Sequence, residues 1–141
     1  MKHILQIQEI KEKNKKSIVA FMQENGIEKV VVEFDGSGDS GQMERSIIYP
    51  SSKEDLSDKK IPFISFFQRY SVGEWTVESN EVERSFDEAI EDFSYSILED
   101  NHGGWEINDG SYGEIIINAN GSGRIEFNQR VMETEFDETE F

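Results

Sequence analysis

The chain has no cysteine. That single absence removes disulfide scaffolds, thiolate zinc sites and cysteine nucleophiles together. It agrees with a reducing compartment, and a cytoplasmic location is the expectation. Proline is nearly missing, with Pro50 and Pro62 alone. Basic side chains are scarce: 14 Lys and Arg stand against 30 Asp and Glu, for a net charge of −16. A field of that sign repels phosphate, so no direct nucleic-acid binding is expected. Histidine occurs twice, at positions 3 and 102, with no neighbours that would orient either as a general base. No apolar run approaches the ~20 residues that cross a bilayer. Met1-Lys2-His3-Ile4-Leu5-Gln6 also lacks the apolar core of a signal peptide, so no membrane association is expected.

What is present is enough for a folded core. The 141 residues include ten Phe, and that length suits one domain without covalent staples. Residues 1–132 are expected to form a single α+β domain, with 133–141 as an acidic tail that is either disordered or a strand extension. The charge is uneven. Residues 1–29 hold six Lys and four Glu, a net +2, which leaves −18 on the rest. Such a surface favours a basic protein partner, a cation, or simple solubility.

Hydrophobic spacing predicts the elements. Ile7, Ile10, Ile18, Phe21 and Met22 recur at helical spacing over residues 5–25, although Asn14 interrupts the stripe. Asn25-Gly26 reads as the stop, since glycine accepts the left-handed conformation there. Residues 27–34 read as the first strand, since Val30, Val31 and Val32 are β-branched and the run is too short for a helix, with Val30, Val32 and Phe34 on one face. Residues 42–49 supply the second strand of a hairpin. Residues 51–60 lack periodicity and read as an exposed loop. Residues 61–75 are aromatic-rich; Pro62 argues against a central strand, so a strand leaning on the sheet edge is preferred over a short helix. Phe86, Ile90, Phe93 and Ile97, with Ala89, mark a second helix, opened by the capping box Ser85–Glu88. Residues 112–118 and 124–129 make a last hairpin around Asn120-Gly121-Ser122-Gly123. The expectation is an antiparallel sheet of four or five strands with two helices packed on one face, in the order helix–hairpin–(strand)–helix–hairpin.

Two glycine-rich stretches invite chemistry. Asp35-Gly36-Ser37-Gly38-Asp39-Ser40-Gly41 spaces oxygens at alternate positions, as hard-cation loops do, but lacks the offsets of an EF-hand. Its Gly38-Asp39-Ser40-Gly41 matches a serine-protease tetrapeptide without the histidine a triad requires. His102 to Glu114 packs four glycines, two large aromatics and three carboxylates into thirteen residues. If the two stretches converge, Asp35, Asp39, Glu106, Asp109 and Glu114 form a carboxylate cluster able to hold Mg²⁺, Mn²⁺ or Ca²⁺ and activate a water. The plainer alternative is a pair of ordered connections whose glycines permit tight turns and whose acids cap or solvate.

The segments Gly103-Gly104-Trp105-Glu106-Ile107-Asn108-Asp109-Gly110-x-Tyr112-Gly113-Glu114 and Val32-x-Phe34-Asp35-Gly36-x-Gly38-Asp39-Ser40-Gly41 resemble a family of short acidic proteins of unknown function from bacteria and their mobile elements. The resemblance implies a shared fold and shared loop chemistry, and no substrate. A mobile-element setting implies an accessory or regulatory role.

The preferred functional expectation is a non-enzymatic interaction protein that binds a basic protein surface, acting as a nucleic-acid mimic or accessory protein. Asp87, Glu88, Glu91 and Asp92 on the second helix, with Trp105 and Tyr112, are the expected contact residues. A metal-dependent hydrolase or metal-binding module built on the carboxylate cluster is the first alternative, and a structural subunit of a larger assembly the second. No nucleophile, base or cofactor motif argues for an enzyme.

Overall fold

The computed structural model describes residues 2–37, 40–102, 110–129 and 135–141. In chain order the elements are α1 (Lys2–Glu24), β1 (Lys29–Ser37), β2 (Ser40–Tyr49), a 3-10 helix (Ser51–Asp58), β3 (Lys60–Ser71), β4 (Glu74–Ser85), α2 (Phe86–Asn101), β5 (Ser111–Asn118), β6 (Gly123–Gln129) and β7 (Glu135–Glu140). Five strands form an antiparallel sheet in the order β2-β1-β5-β6-β7, and β3 and β4 form a hairpin apart from it. The fold is α+β, as its alternation of helical and strand periodicity predicts.

One face of the sheet carries Val30, Val32, Phe34, Ile115, Ile117 and Ile125, and it packs with Ile18 and Met22 of α1 and Phe86, Ile90, Phe93 and Leu98 of α2. Each such side chain stabilises the fold by about 1.5–3 kcal/mol through burial. The helix boundaries follow local chemistry. Gly26 takes φ +70° and ends α1, and the Ile27 amide closes the turn on the Met22 carbonyl at 2.9 Å. Ser85 caps α2, its side chain accepting from the Glu88 amide at 3.1 Å. α2 stops at Asn101, and His102 is the C-cap.

Asn14 does not interrupt the α1 stripe. It belongs to it, four residues from Ile10 and four from Ile18, and is 4% exposed. Its Nδ2 donates to the Ile64 carbonyl at 3.0 Å, and its Oδ1 accepts from the Ile64 amide at 2.8 Å. A side-chain amide thus stands in for a neighbouring strand at the edge of β3. A buried polar group tolerates that position because both of its partners are supplied.

Residues 61–75 are mostly strand, but they do not lean on the main sheet. They pair with β4, which covers a stretch with no apolar pattern, GluTrpThrValGluSerAsnGluValGluArgSer, and which the hydrophobic spacing therefore does not mark. Register runs unbroken from Lys60↔Ser85 to Ser71↔Glu74, and Val72 (φ +52°) and Gly73 (φ +78°) close the turn. Both central residues at positive φ match the right-handed twist of the strands. Pro62 is tolerated for a geometric reason. The Ile64 amide points towards Asn14 and so away from β4, and Pro62, two residues earlier, points the same way. The missing N–H of proline therefore removes no ladder bond. Ile61 and Phe63 enter the core, with Val82 packed against it. Beyond them the hairpin projects, with Phe67, Tyr70, Val72 and Trp75 between 51% and 99% exposed.

The expected exposed loop at 51–60 is mainly the 3-10 helix, and Leu56 packs against the core from it. Its i→i+3 bonding leaves no helical stripe to detect. The acidic tail adds a strand: β7 pairs with β6 from Arg124↔Glu140 to Gln129↔Glu135. Phe141 then lays its ring over Gly123, where any Cβ would overlap it, and meets the Phe93 ring edge-on at 6.4 Å.

Candidate functional site

The described ends of the two glycine-acid stretches meet. β1 and β5 are neighbours, with Asp35 opposite Tyr112 and Gly36 opposite Ser111. Asp35, Glu114 and Tyr112 line one trough of about 340 Å³ together with Glu33, Glu44 and Glu126. Of the expected metal ligands, Asp35 and Glu114 are thus brought together, while Asp39, Glu106 and Asp109 lie outside the described residues, as does Trp105. Among the described residues no three carboxylates or histidines are placed to hold one metal ion.

Register across the sheet assembles something the linear sequence hides. Glu33 on β1 stands opposite Glu114 on β5. Glu114 stands opposite Glu126 on β6, and Glu126 opposite Glu138 on β7. Directly opposed residues share a face, so four glutamates form a row across four strands, each step about 4.8 Å. The face is the one opposite the helices, since Val32 and Phe34 on either side of Glu33 point into the core. Arg45 closes the β2 end, opposite Glu33, and donates to it at 3.0 and 3.2 Å. Arg124 reaches Glu126 at 3.0 Å. Glu114 and Glu138 form no ion pair among the described residues. Beside the row runs an apolar one, Ile47–Val31–Ile116. Glu33, Glu114 and this apolar row line a trough of about 680 Å³, together with Lys29, Arg45 and Arg124.

Like charges directly opposed across strands are destabilising. Four in line are a local violation of the kind that marks function rather than stability. Sequence inspection singled out Glu114 and missed Glu33, Glu126 and Glu138. Their signal, one acid per strand on the polar side of the alternation, is visible only once the strands are aligned.

The acidic face of α2 is the second charged surface. Glu88 and Asp92 are exposed, and Asp87 and Glu91 half-buried. Partial burial raises the Glu91 carboxyl above its ordinary range, and repulsion from Asp87, Asp92 and Glu88 adds to it. Asp92 is raised as well, by burial and by Glu88, against the opposing pull of Arg84. The Arg84 guanidinium lies 3.7 Å from Asp92. Tyr112, the other expected contact residue, is 38% exposed on the open sheet face.

His102 ties α2 to the far edge of the sheet. Its ring stacks on Phe127 with centroids 4.0 Å apart and planes 5° from parallel. Its Nε2 lies 3.3 Å from the Thr139 hydroxyl. Burial lowers its pKa from the ordinary 6.5, and Asp137 opposes the shift only in part. The unfolded chain then binds the proton more tightly than the folded one. The stabilisation from this site is complete above pH 6.5 and is lost as pH falls through and below that value. Urea titration of wild type and His102→Phe at pH 7.5 and 5.5 checks this: the wild type should lose stability relative to the variant at the lower pH. A difference independent of pH would show that burial of the ring is not felt.

An open, carboxylate-lined sheet face backed by two helices characterises this small α+β protein. Residues 10–141 match the model of a family of unknown function, DUF6878, and the chain belongs to that family. No curated protein and no solved structure matches the chain. No helix among the described residues is long and apolar enough to cross a membrane.

Proposed function

We propose that this protein is a non-enzymatic interaction protein that binds a basic protein surface, with the open face of the sheet as its principal contact and the acidic face of α2 as a second. The observation that carries the proposal is the row Glu33–Glu114–Glu126–Glu138. Its mutual repulsion is relieved when a partner's Lys or Arg side chains come to lie along it, so association recovers free energy that folding left stored. The −18 on residues 30–141 steers a basic partner towards the protein and makes association fast and salt-sensitive.

The test compares wild type with the triple variant Glu114→Gln, Glu126→Gln, Glu138→Gln, using a Lys-rich synthetic helical peptide as probe at about 50 and 500 mM NaCl. Binding at low salt should fall about tenfold in the variant, and high salt should weaken the wild type. Thermal stability should move the other way, rising as the like-charge pairs are removed. An analogous variant of the α2 face (Asp87→Asn, Glu88→Gln, Glu91→Gln, Asp92→Asn) should lose less. Unchanged affinity in the triple variant, or binding indifferent to salt, would reject the sheet face as the contact.

A further inference from the structure

The outer half of the β3–β4 hairpin is not part of the five-stranded sheet, and residues 67–76 are exposed, with no more than partial cover at their edges. A two-stranded ribbon of that kind is marginal alone in water, and its edges are templates for another strand. The Ile64 amide and carbonyl face Asn14 and so point away from β4. By the antiparallel alternation, the N–H and C=O groups of Phe66, Gln68 and Tyr70 point the same way. Asn14 serves Ile64; among the described residues nothing serves the other three.

This edge also lacks the usual protection. Between Phe66 and Ser71 there is no proline, no lysine and no carboxylate, and the register has no bulge. The other edges differ: β7 is Glu-Phe-Asp-Glu-Thr-Glu, and β2 opposes a register shift at Glu33/Phe34. β3 is also the one strand among the described residues without an acidic side chain, carrying Lys60 and Arg69 instead. Two copies of a chain with net charge −16 repel over most of their surfaces. They repel least at β3.

We propose that β3 is a self-association edge: two copies of this chain pair their β3 strands antiparallel about a two-fold axis at Gln68, forming a four-stranded sheet β4-β3-β3-β4. The segment is self-complementary about that axis. Phe66 of one copy falls opposite Tyr70 of the other on the face that also carries Trp75, whose ring lies 5.2 Å from Tyr70. On the opposite face Phe67 meets the other copy's Arg69, a cation–π pair. Each Arg69 stays neutralised by its own Glu78 at 3.1 Å. Phe66, Gln68 and Tyr70 exchange on the order of six backbone hydrogen bonds, and Asn14 ends the paired stretch at Ile64. The acidic β4 strands remain outermost. A symmetric interface of this kind closes on itself as a dimer and does not propagate.

Light scattering across a concentration series should show a dimer that tightens as NaCl rises from about 50 to 500 mM, because salt screens the repulsion between two like-charged chains. That is the opposite of the salt dependence of binding to a basic partner, so the two proposals fail separately. The absence of native cysteine makes Gln68→Cys a direct probe. Opposed hydrogen-bonded residues have Cα atoms about 5.5 Å apart, within disulfide range. Gln68→Cys should therefore give a disulfide-linked dimer under mild oxidation, and Arg69→Cys should give far less. Gln68→Pro removes an outward N–H without touching the ladder to β4, and should yield a monomer with an unchanged circular dichroism spectrum. A wild type that stays monomeric at about 100 times the concentration of the first scattering measurement, in both salts, overturns the proposal and leaves the edge to a strand from a different protein. Equal cross-linking at 68 and 69 overturns it as well.

Discussion

Gly113→Ala is expected to destabilise the protein by about 3 kcal/mol, a large share of the stability of a domain this size. Gly113 sits on β5 between Phe34 and Phe127. A Cβ there would overlap the Glu126 carbonyl and come within 3.1 Å of the Phe34 ring. The obstacle is backbone, which cannot rotate out of the way, so β5 and β6 must part and lose ladder bonds. Gly121→Ala is the matched control. It has φ +93° but nothing within 4 Å of the added carbon, so only conformational strain remains, about 1 kcal/mol. Urea titration of both variants separates the two causes; equal losses would mean that the close approach at Gly113 is not what requires glycine. Parting β5 from β6 also separates Glu114 from Glu126, so Gly113→Ala should weaken probe binding along with stability.

Asn14→Leu is expected to cost about 2–3 kcal/mol, although it replaces a polar side chain with an apolar one on a buried stripe. Leucine leaves the Ile64 amide and carbonyl without the partners now at 2.8 and 3.0 Å. Unmet polar groups in a partly buried position cost more than the added apolar contact returns. Amide exchange should show the cause, with Ile64 exchanging markedly faster in the variant while Val30 and Ile117 in the main sheet keep their protection. A neutral or stabilising substitution with unchanged Ile64 exchange would mean that Asn14 does not anchor the hairpin. Freed from that anchor, β3 should also present a longer bare edge.

Most of the regular structure was legible beforehand, and the physical reason is periodicity. Phe86, Ile90, Phe93 and Ile97 recur once per helical turn, and Val30, Val32 and Phe34 alternate, so α2 and β1 could be read directly. The cap at Ser85 and the stop at Gly26 obeyed local rules. β4 was not legible, because its sequence alternates nothing: the strand is half solvated, and its pairing with β3 decides it. Asn14 was misread because a stripe of apolar residues has no place for an amide unless an edge strand lies across it. Among the candidate site residues, β1–β5 pairing places Asp35 and Glu114 on one trough. The row they flank was invisible, since Glu33, Glu114, Glu126 and Glu138 are separated by 81, 12 and 12 residues.

The sequence by itself determined composition-level and local properties: a strongly acidic chain without thiols, two amphipathic helices, and hairpins punctuated by glycine. These depend on residues a few positions apart, whose relation the covalent chain already fixes. Only the tertiary structure decided which strands are neighbours, and with that which carboxylates oppose one another and which edge is left bare. Register between distant strands is set by the collective packing of the core face. The charge pattern on the other face is a consequence of that packing, which no local stretch of the chain contains.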